Sequence, residues 1–166
     1  KADLTDAQPE PIDLEAIMAE IAESLQVQGE DRGVKLSWSI RCTEEPTLTR
    51  MRVYQILANL VSNGIKYSAE GRSERFVRVD AVGKGDRILV TVEDNGTGMA
   101  GADADTPYDM FARFHSGVSG SGLGLYIVKK HVEALDGTIS FESTDAGTRF
   151  ALDLPLHLPS ASRAPL

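Results

Sequence analysis

The chain has 166 residues, 42% of them hydrophobic, and its 17 Lys and Arg against 25 Asp and Glu leave a formal charge of −8. That length fits one domain with a substantial core, and the composition excludes a collagen-like, wholly disordered or membrane-spanning chain. The acidity argues against a nucleic-acid partner, which calls for a basic face. A single cysteine, Cys42, excludes an internal disulfide and a multi-cysteine zinc site, and fits a reducing, cytoplasmic setting. No signal peptide opens the chain. It begins at Lys1 rather than Met, so it is expected to be part of a longer protein, whose membrane attachment stays open.

Residues 1–11 are polar, carry Pro9 and Pro11, and read as a linker. Asp13 is placed to cap a helix whose apolar residues Leu14, Ile17, Met18, Ile21 and Leu25 recur at three- and four-residue intervals, with Gly29 and Gly33 to end it. Val34, Leu36, Trp38 and Ile40 alternate with polar residues, the period of a half-buried strand. A second helix is expected from about Arg50 to Tyr67. Strand-like runs at Phe76–Val82 and Arg87–Glu93, joined through Gly83-Lys84-Gly85-Asp86, read as a hairpin. The stretch from Asp94 to about Thr106 is rich in Gly, Ala and Asp and reads as loop. A helix from about Leu123 to Leu135 ends at Asp136-Gly137, and strands at Thr138–Ser143 and Thr148–Leu154 flank the turn Asp145-Ala146-Gly147. Residues 155–166 are expected to be a frayed tail, leaving 12–154 as the folded body. Helices interspersed with hairpin-linked strands give an α+β, two-layer sandwich, with helices covering one face of a mixed, mostly antiparallel sheet.

Three segments point to chemistry. On the second helix, Asn59, Asn63 and Lys66 share one stripe, with Tyr67 on its border, while Val53, Leu57, Leu60, Val61 and Gly64 face the other way. Carboxamides and an ammonium one turn apart offer oxygens to a metal ion and positive charge to phosphate, although a solvated polar face has the same pattern. Asp94-Asn95-Gly96-Thr97-Gly98-Met99 follows a strand, so Asp94 stands at its end, and the glycines let backbone approach a ligand; an ordinary Asp-Asn-Gly turn is the plainer alternative. In Gly120-Ser121-Gly122-Leu123-Gly124-Leu125 a glycine-rich loop runs into a helix whose free N–H groups and dipole would favour an anion; a glycine hinge without ligand reads equally well. No Gly-Lys-Ser/Thr follows, so this is not a P-loop, and no βαβ unit surrounds it.

In order and spacing, these segments together with Phe111-Ala112-Arg113-Phe114 and Gly147-Thr148-Arg149-Phe150 resemble the catalytic ATP-binding domain of sensor histidine kinases. That domain belongs to the superfamily of gyrase, the large heat-shock chaperone and mismatch-repair proteins, whose fold is the Bergerat-type sandwich. Asn-Leu-x-x-Asn-x-x-Lys-Tyr-Ser favours the histidine-kinase branch, and a gyrase- or chaperone-like ATPase would place a Glu where Asn59 stands. The resemblance implies ATP and Mg²⁺ as cofactors. It implies Asn63 as the metal ligand with Asn59 in support, Lys66 on phosphate, Tyr67 against adenine, and Asp94 accepting from the adenine amine. Gly98 would let the loop pass close to the base, Gly122, Leu123 and Gly124 would offer backbone N–H groups to the β- and γ-phosphates, Gly96, Met99 and Leu125 would belong to the cofactor-binding set, and Thr148 would join the adenine set through water. Arg113 would reach the γ-phosphate, with Phe111 and Phe114 anchoring a lid that is short here, His115 to Ser121. Gly64 stands where the family usually has Ala.

The family's phospho-accepting histidine sits on a separate helical domain, and His115, His131 and His157 lack its neighbours; His131 reads as a packing or surface residue. The implied partners are therefore a histidine-containing dimerisation domain of the same protein and a response-regulator receiver domain, with a homodimeric parent and a monomeric fragment. A serine-directed kinase of the anti-sigma type and a non-catalytic nucleotide sensor are the alternatives.

Overall fold

The computed structural model describes residues 7–98 and 124–160. Along the chain these form β1 (Glu10–Pro11), α1 (Leu14–Ser24), α2 (Gln26–Arg32), β2 (Val34–Arg41), β3 (Thr47–Leu48), α3 (Arg50–Lys66), β4 (Arg75–Lys84), β5 (Arg87–Asp94), α4 (Gly124–Ala134), β6 (Thr138–Thr144) and β7 (Gly147–Pro155). Five strands make one sheet in the order β2-β4-β5-β7-β6; β2 lies parallel to β4 and every other pair is antiparallel. This is the expected α+β architecture.

Strand alternation decides the layers. Val77, Val79 and Ala81 of β4, Ile88, Val90 and Val92 of β5, and Phe150, Leu152 and Leu154 of β7 are buried, while their neighbours Arg78, Leu89 and Arg149 are exposed. The buried face receives Leu14, Ile17, Met18 and Ile21 of α1, Val53, Ile56, Leu57, Leu60, Val61 and Ile65 of α3, and Val128 and Val132 of α4. Each residue set repeats with its element's own period, so the helices and strands bury their apolar sides against one another in a single seam.

The first helix is interrupted. Asp13 caps α1 as expected, its Oδ1 accepting from the Ala16 N–H at 3.2 Å. At Leu25 (φ −104°, ψ 7°) the helix stops and α2 begins, with Gly29 inside α2 rather than ending it. The apolar stripe ends at Leu25: its continuation falls on Gln28 and Gly29, and Val27 is 69% exposed, so nothing holds a straight continuation to the sheet. Gly33, left-handed at φ 65°, then turns the chain into β2.

Both ends of the expected body extend. Glu10–Pro11 pairs with Thr47–Leu48, and Ile12 N–H bonds to Pro46 O at 2.9 Å, so the linker reading fails at its last two residues. The tail reading fails for Pro155–Leu158: Leu156 is buried, its N–H donates to Asp86 O at 2.9 Å and its carbonyl accepts from Thr47 N–H at 2.8 Å. Two-residue pairings of this kind leave no periodic trace in a sequence.

Candidate functional site

Three elements end on the same side of the sheet. β5 finishes at Asp94, which pairs with Thr148 near the start of β7, and α3 leaves the sheet at Tyr67. Asn63, Tyr67, Asp94, Gly98, Leu125, Thr148 and Phe150 line one small cleft there. Six of these, all but Phe150, are expected cofactor- or metal-binding residues.

The cleft depends on backbone contacts that only glycine permits. A Cβ on Gly96 would run into the Tyr67 carbonyl oxygen; one on Gly98, which adopts φ 76°, would run into that of Thr144. Gly96 does not line the cleft. Its N–H donates to Asp94 Oδ1 at 2.9 Å, and Thr97 N–H closes on the Tyr67 carbonyl at 3.0 Å, so the loop after β5 is pinned to the exit of α3. Asn95 ties it from the other side: Oδ1 accepts from Phe76 N–H at 2.9 Å and Nδ2 donates to Glu74 O at 2.6 Å.

Asp94 is the electrostatic centre of the cleft. Burial pushes its carboxyl up to about 6, partly offset by the N–H groups of Gly96 and Thr148 and reinforced by the nearby charge of Glu93. Thr148 is buried, with its Oγ1 3.0 Å from Ser143 Oγ. The result is a half-dry carboxylate acceptor in a cleft that Tyr67, Thr148 and Leu125 also line, a setting suited to a flat, amine-bearing heterocycle.

The amides of α3 point along the same wall. Asn59 Nδ2 donates to Gln55 O at 2.7 Å, which leaves its Oδ1 toward the start of α4, 3.3 Å from where a Cβ on Gly124 would stand. The start of α4 therefore abuts the first amide, one turn from Asn63 in the cleft. Carboxamide oxygens such as those of Asn59 and Asn63 are hard donors of the kind a Mg²⁺ ion takes alongside phosphate oxygens, so the side-chain types present fit that ion. Lys66 and Tyr67 close α3, Lys66 in the last turn where a cation offsets the helix dipole. Gly64 lies under the helix: a Cβ there would stand 2.7 Å from Val77 Cγ2 and 3.4 Å from Asp94 Cβ, so helix and site-bearing strand approach closely at this point.

Met99, Arg113, Gly122 and Leu123, together with Phe111, Phe114 and the expected lid at 115–121, lie outside the described residues. His131 is buried on α4 with Nδ1 3.1 Å from Arg52 Nη1 of α3, and burial first, then the Arg52 charge, lowers its pKa; its position is that of a packing residue. Sequence reasoning missed Asn95, Gly147 and Ser143 as structural supports of the site. Gly147, at φ 138°, brings β7 so close to β5 that a Cβ would strike the Asp94 carbonyl oxygen. Its place in Gly-Thr-x-Phe was the available signal.

The family model described as histidine kinase-, DNA gyrase B- and HSP90-like ATPase matches residues 49–158. The sensor histidine kinase RcsC of Salmonella typhimurium is 36% identical over 112 residues, 64% of this chain and 11% of that protein. The alginate biosynthesis sensor protein KinB of Pseudomonas aeruginosa is 29% identical over 147 residues, 87% of this chain and 24% of that protein. Among solved structures, full-length ShkA in complex with AMPPNP superposes with a TM-score of 0.78 at 24% identity, covering 92% of this chain and 32% of that one. The nucleotide-free catalytic domain of histidine kinase ThkA gives 0.76 at 20% identity, covering 90% and 96%. The chain thus spans 11% of the length of the first curated relatives it matches, and it shares its fold with the solved histidine kinase structures.

Proposed function

The chain belongs to the histidine kinase-, DNA gyrase B- and HSP90-like ATPases, as an ATP-binding catalytic domain of the sensor-kinase type, and on that premise we propose that it holds Mg²⁺·ATP in the cleft between α3, the end of β5 and the start of α4, and presents the γ-phosphate to a histidine on another domain of its parent protein. The observation that carries this reading is the Asp94 carboxylate, fixed by Gly96 N–H in a cleft walled by Tyr67, Thr148 and Leu125. Accepting from the adenine amine, it selects ATP over GTP, because a carbonyl in place of the amine would set two acceptors face to face.

Asn63, with Asn59 in support, would hold Mg²⁺, which neutralises charge on the phosphate oxygens. Lys66 and the N–H groups at the start of α4 add local positive charge that an acidic protein needs in order to bind a polyanion. Arg113 is proposed to reach the γ-phosphate, and Met99, Gly122 and Leu123 to complete the base and phosphate contacts. None of these side chains is a nucleophile toward phosphorus: the accepting histidine nitrogen forms the new P–N bond as the bond from the γ-phosphorus to ADP breaks. The domain's share is positioning and charge neutralisation. The proposed partners are a histidine-bearing dimerisation domain and a receiver domain, in a homodimeric parent with this domain on the cytoplasmic side. Among the described residues no helix is long and apolar enough to cross a membrane.

The test is calorimetric titration of the chain with ATP, with and without Mg²⁺. Wild type is expected to bind more tightly with the ion, and Asn63→Ala to lose most of that difference while keeping adenine-dependent binding. A variant with the wild-type Mg²⁺ response would remove Asn63 from the metal role.

A further inference from the structure

The cleft's loop hangs on the exit of α3, and that exit is gripped from outside the cleft. Arg32, the last residue of α2, shares its Nε–H between Ile65 O at 2.9 Å and Ser68 Oγ at 3.1 Å, and its Nη2 reaches Ser68 O at 3.4 Å. These oxygens lie at and beyond the last turn of α3, where Ile65 O also accepts from Ser68 N–H at 3.3 Å and a guanidinium meets the negative end of the helix dipole. A second arginine holds the first: Arg75 Nη1 donates to Arg32 O at 2.7 Å and its Nη2 to Glu70 O at 2.7 Å. The two side chains join the end of α2, the exit of α3 and the start of β4.

Between the gripped residues Ile65 and Ser68 stands Tyr67. Its carbonyl receives Thr97 N–H at 3.0 Å and Thr97 Oγ1 at 3.4 Å, and Gly96 lies against it too closely for any side chain. The same Gly96 donates the N–H that orients Asp94. Each link is a direct contact: Arg32 fixes the carbonyls on both sides of Tyr67, the Tyr67 carbonyl fixes the Thr97 loop, and the loop aims the carboxylate. Arg32 itself does not line the cleft.

We propose that Arg32 is a positioning residue of the nucleotide site, acting through the α3 exit to hold the Asp94 loop in its binding geometry. The proposal rests on the cleft being the nucleotide site, and its test separates the two. In the 166-residue chain, Arg32→Ala and Arg32→Lys are compared with wild type and with Arg87→Ala, a control at the far end of the sheet. Amide hydrogen exchange at Thr97 is read without nucleotide, and Mg²⁺·ATP affinity by calorimetry.

Arg32→Ala is expected to speed Thr97 exchange and weaken ATP binding, each by about tenfold. Arg32→Lys, which keeps the charge and one carbonyl contact, should recover part of both. Arg87→Ala should change neither. Thr97 exchange equal to wild type in Arg32→Ala, or an affinity loss no larger than that of a control of equal melting temperature, would overturn the proposal. If Arg32→Ala does not fold, Arg32→Lys decides alone: faster Thr97 exchange supports the proposal and a wild-type rate refutes it. Wild type that binds no ATP while Thr97 still loosens in the variants would refute the nucleotide reading of the cleft and leave the grip of Arg32 on the loop established.

Discussion

β5 runs between two unlike ends of one sheet. At its start, a two-residue turn, Gly85-Asp86, joins it to β4; Gly85 has φ 63° and open space around it, and Arg87 Nε meets Asp153 Oδ1 at 2.8 Å with both side chains partly exposed. At its finish, Asp94 is desolvated, and Gly96, Gly98 and Gly147 are pressed onto neighbouring carbonyl oxygens. The turn end uses ordinary hairpin chemistry, tolerant of exchange. The site end gathers close backbone approaches and a half-dry carboxylate in one place, an arrangement that lowers stability unless a ligand compensates. The contrast separates what the fold needs from what the cleft needs.

Glycine substitutions break this comparison most sharply. Gly98→Ala should cost about 3 kcal/mol or more, since it meets both positive φ and the Thr144 carbonyl, whereas Gly85→Ala should cost only about 1–2 kcal/mol for its left-handed backbone. Denaturant melts of the pair measure the difference, and equal losses would erase the distinction between the ends.

Asp94→Asn comes next. It keeps an oxygen for Gly96 N–H but sets an amide donor where the adenine amine would arrive, so ATP binding should vanish in calorimetry. The same change should stabilise the unliganded chain at pH 7 by up to about 3 kcal/mol, the free energy of a two-unit rise in pKa.

pH sharpens the picture further, because two groups shifted by desolvation pull in opposite directions. Asp94 binds its proton more tightly folded than unfolded, so stability falls as the pH rises from about 4 to about 6 and stays lower above that. His131, with its pKa lowered, binds its proton less tightly when folded, so its contribution is lost as the pH falls below its ordinary value of 6.5. Melting curves of Asp94→Asn should therefore lose the Asp94 slope and keep that of His131. ATP affinity of the wild type should drop as the pH is lowered through about 6, where the acceptor gains a proton. Smallest is Arg87→Ala: an exposed ion pair contributes at most about 1 kcal/mol, and ATP binding should be untouched.

Residue patterns made most of this molecule legible. The buried set of α3 and the alternation of β4, β5 and β7 follow directly from side-chain period, and the residues expected around the base, Tyr67, Asp94, Gly98 and Thr148, do meet in one cleft with Asn63. The break at Leu25 and the β1–β3 ribbon escaped, because one depends on where an apolar stripe runs out against the sheet and the other on backbone bonds alone. That Gly96 also supports the loop against α3 needs the position of the Tyr67 carbonyl.

What the sequence determined by itself was the order of elements, the buried faces and the kinds of side chain offered to a nucleotide, since periodicity and motif spacing are local properties of a chain. Only the tertiary structure decided that Asp94 loses its water, that Asn59 turns its oxygen toward Gly124, and that Arg32 closes the end of a helix more than thirty residues away. Desolvation and close backbone contact arise between segments distant in sequence, and no local pattern encodes how near such segments come.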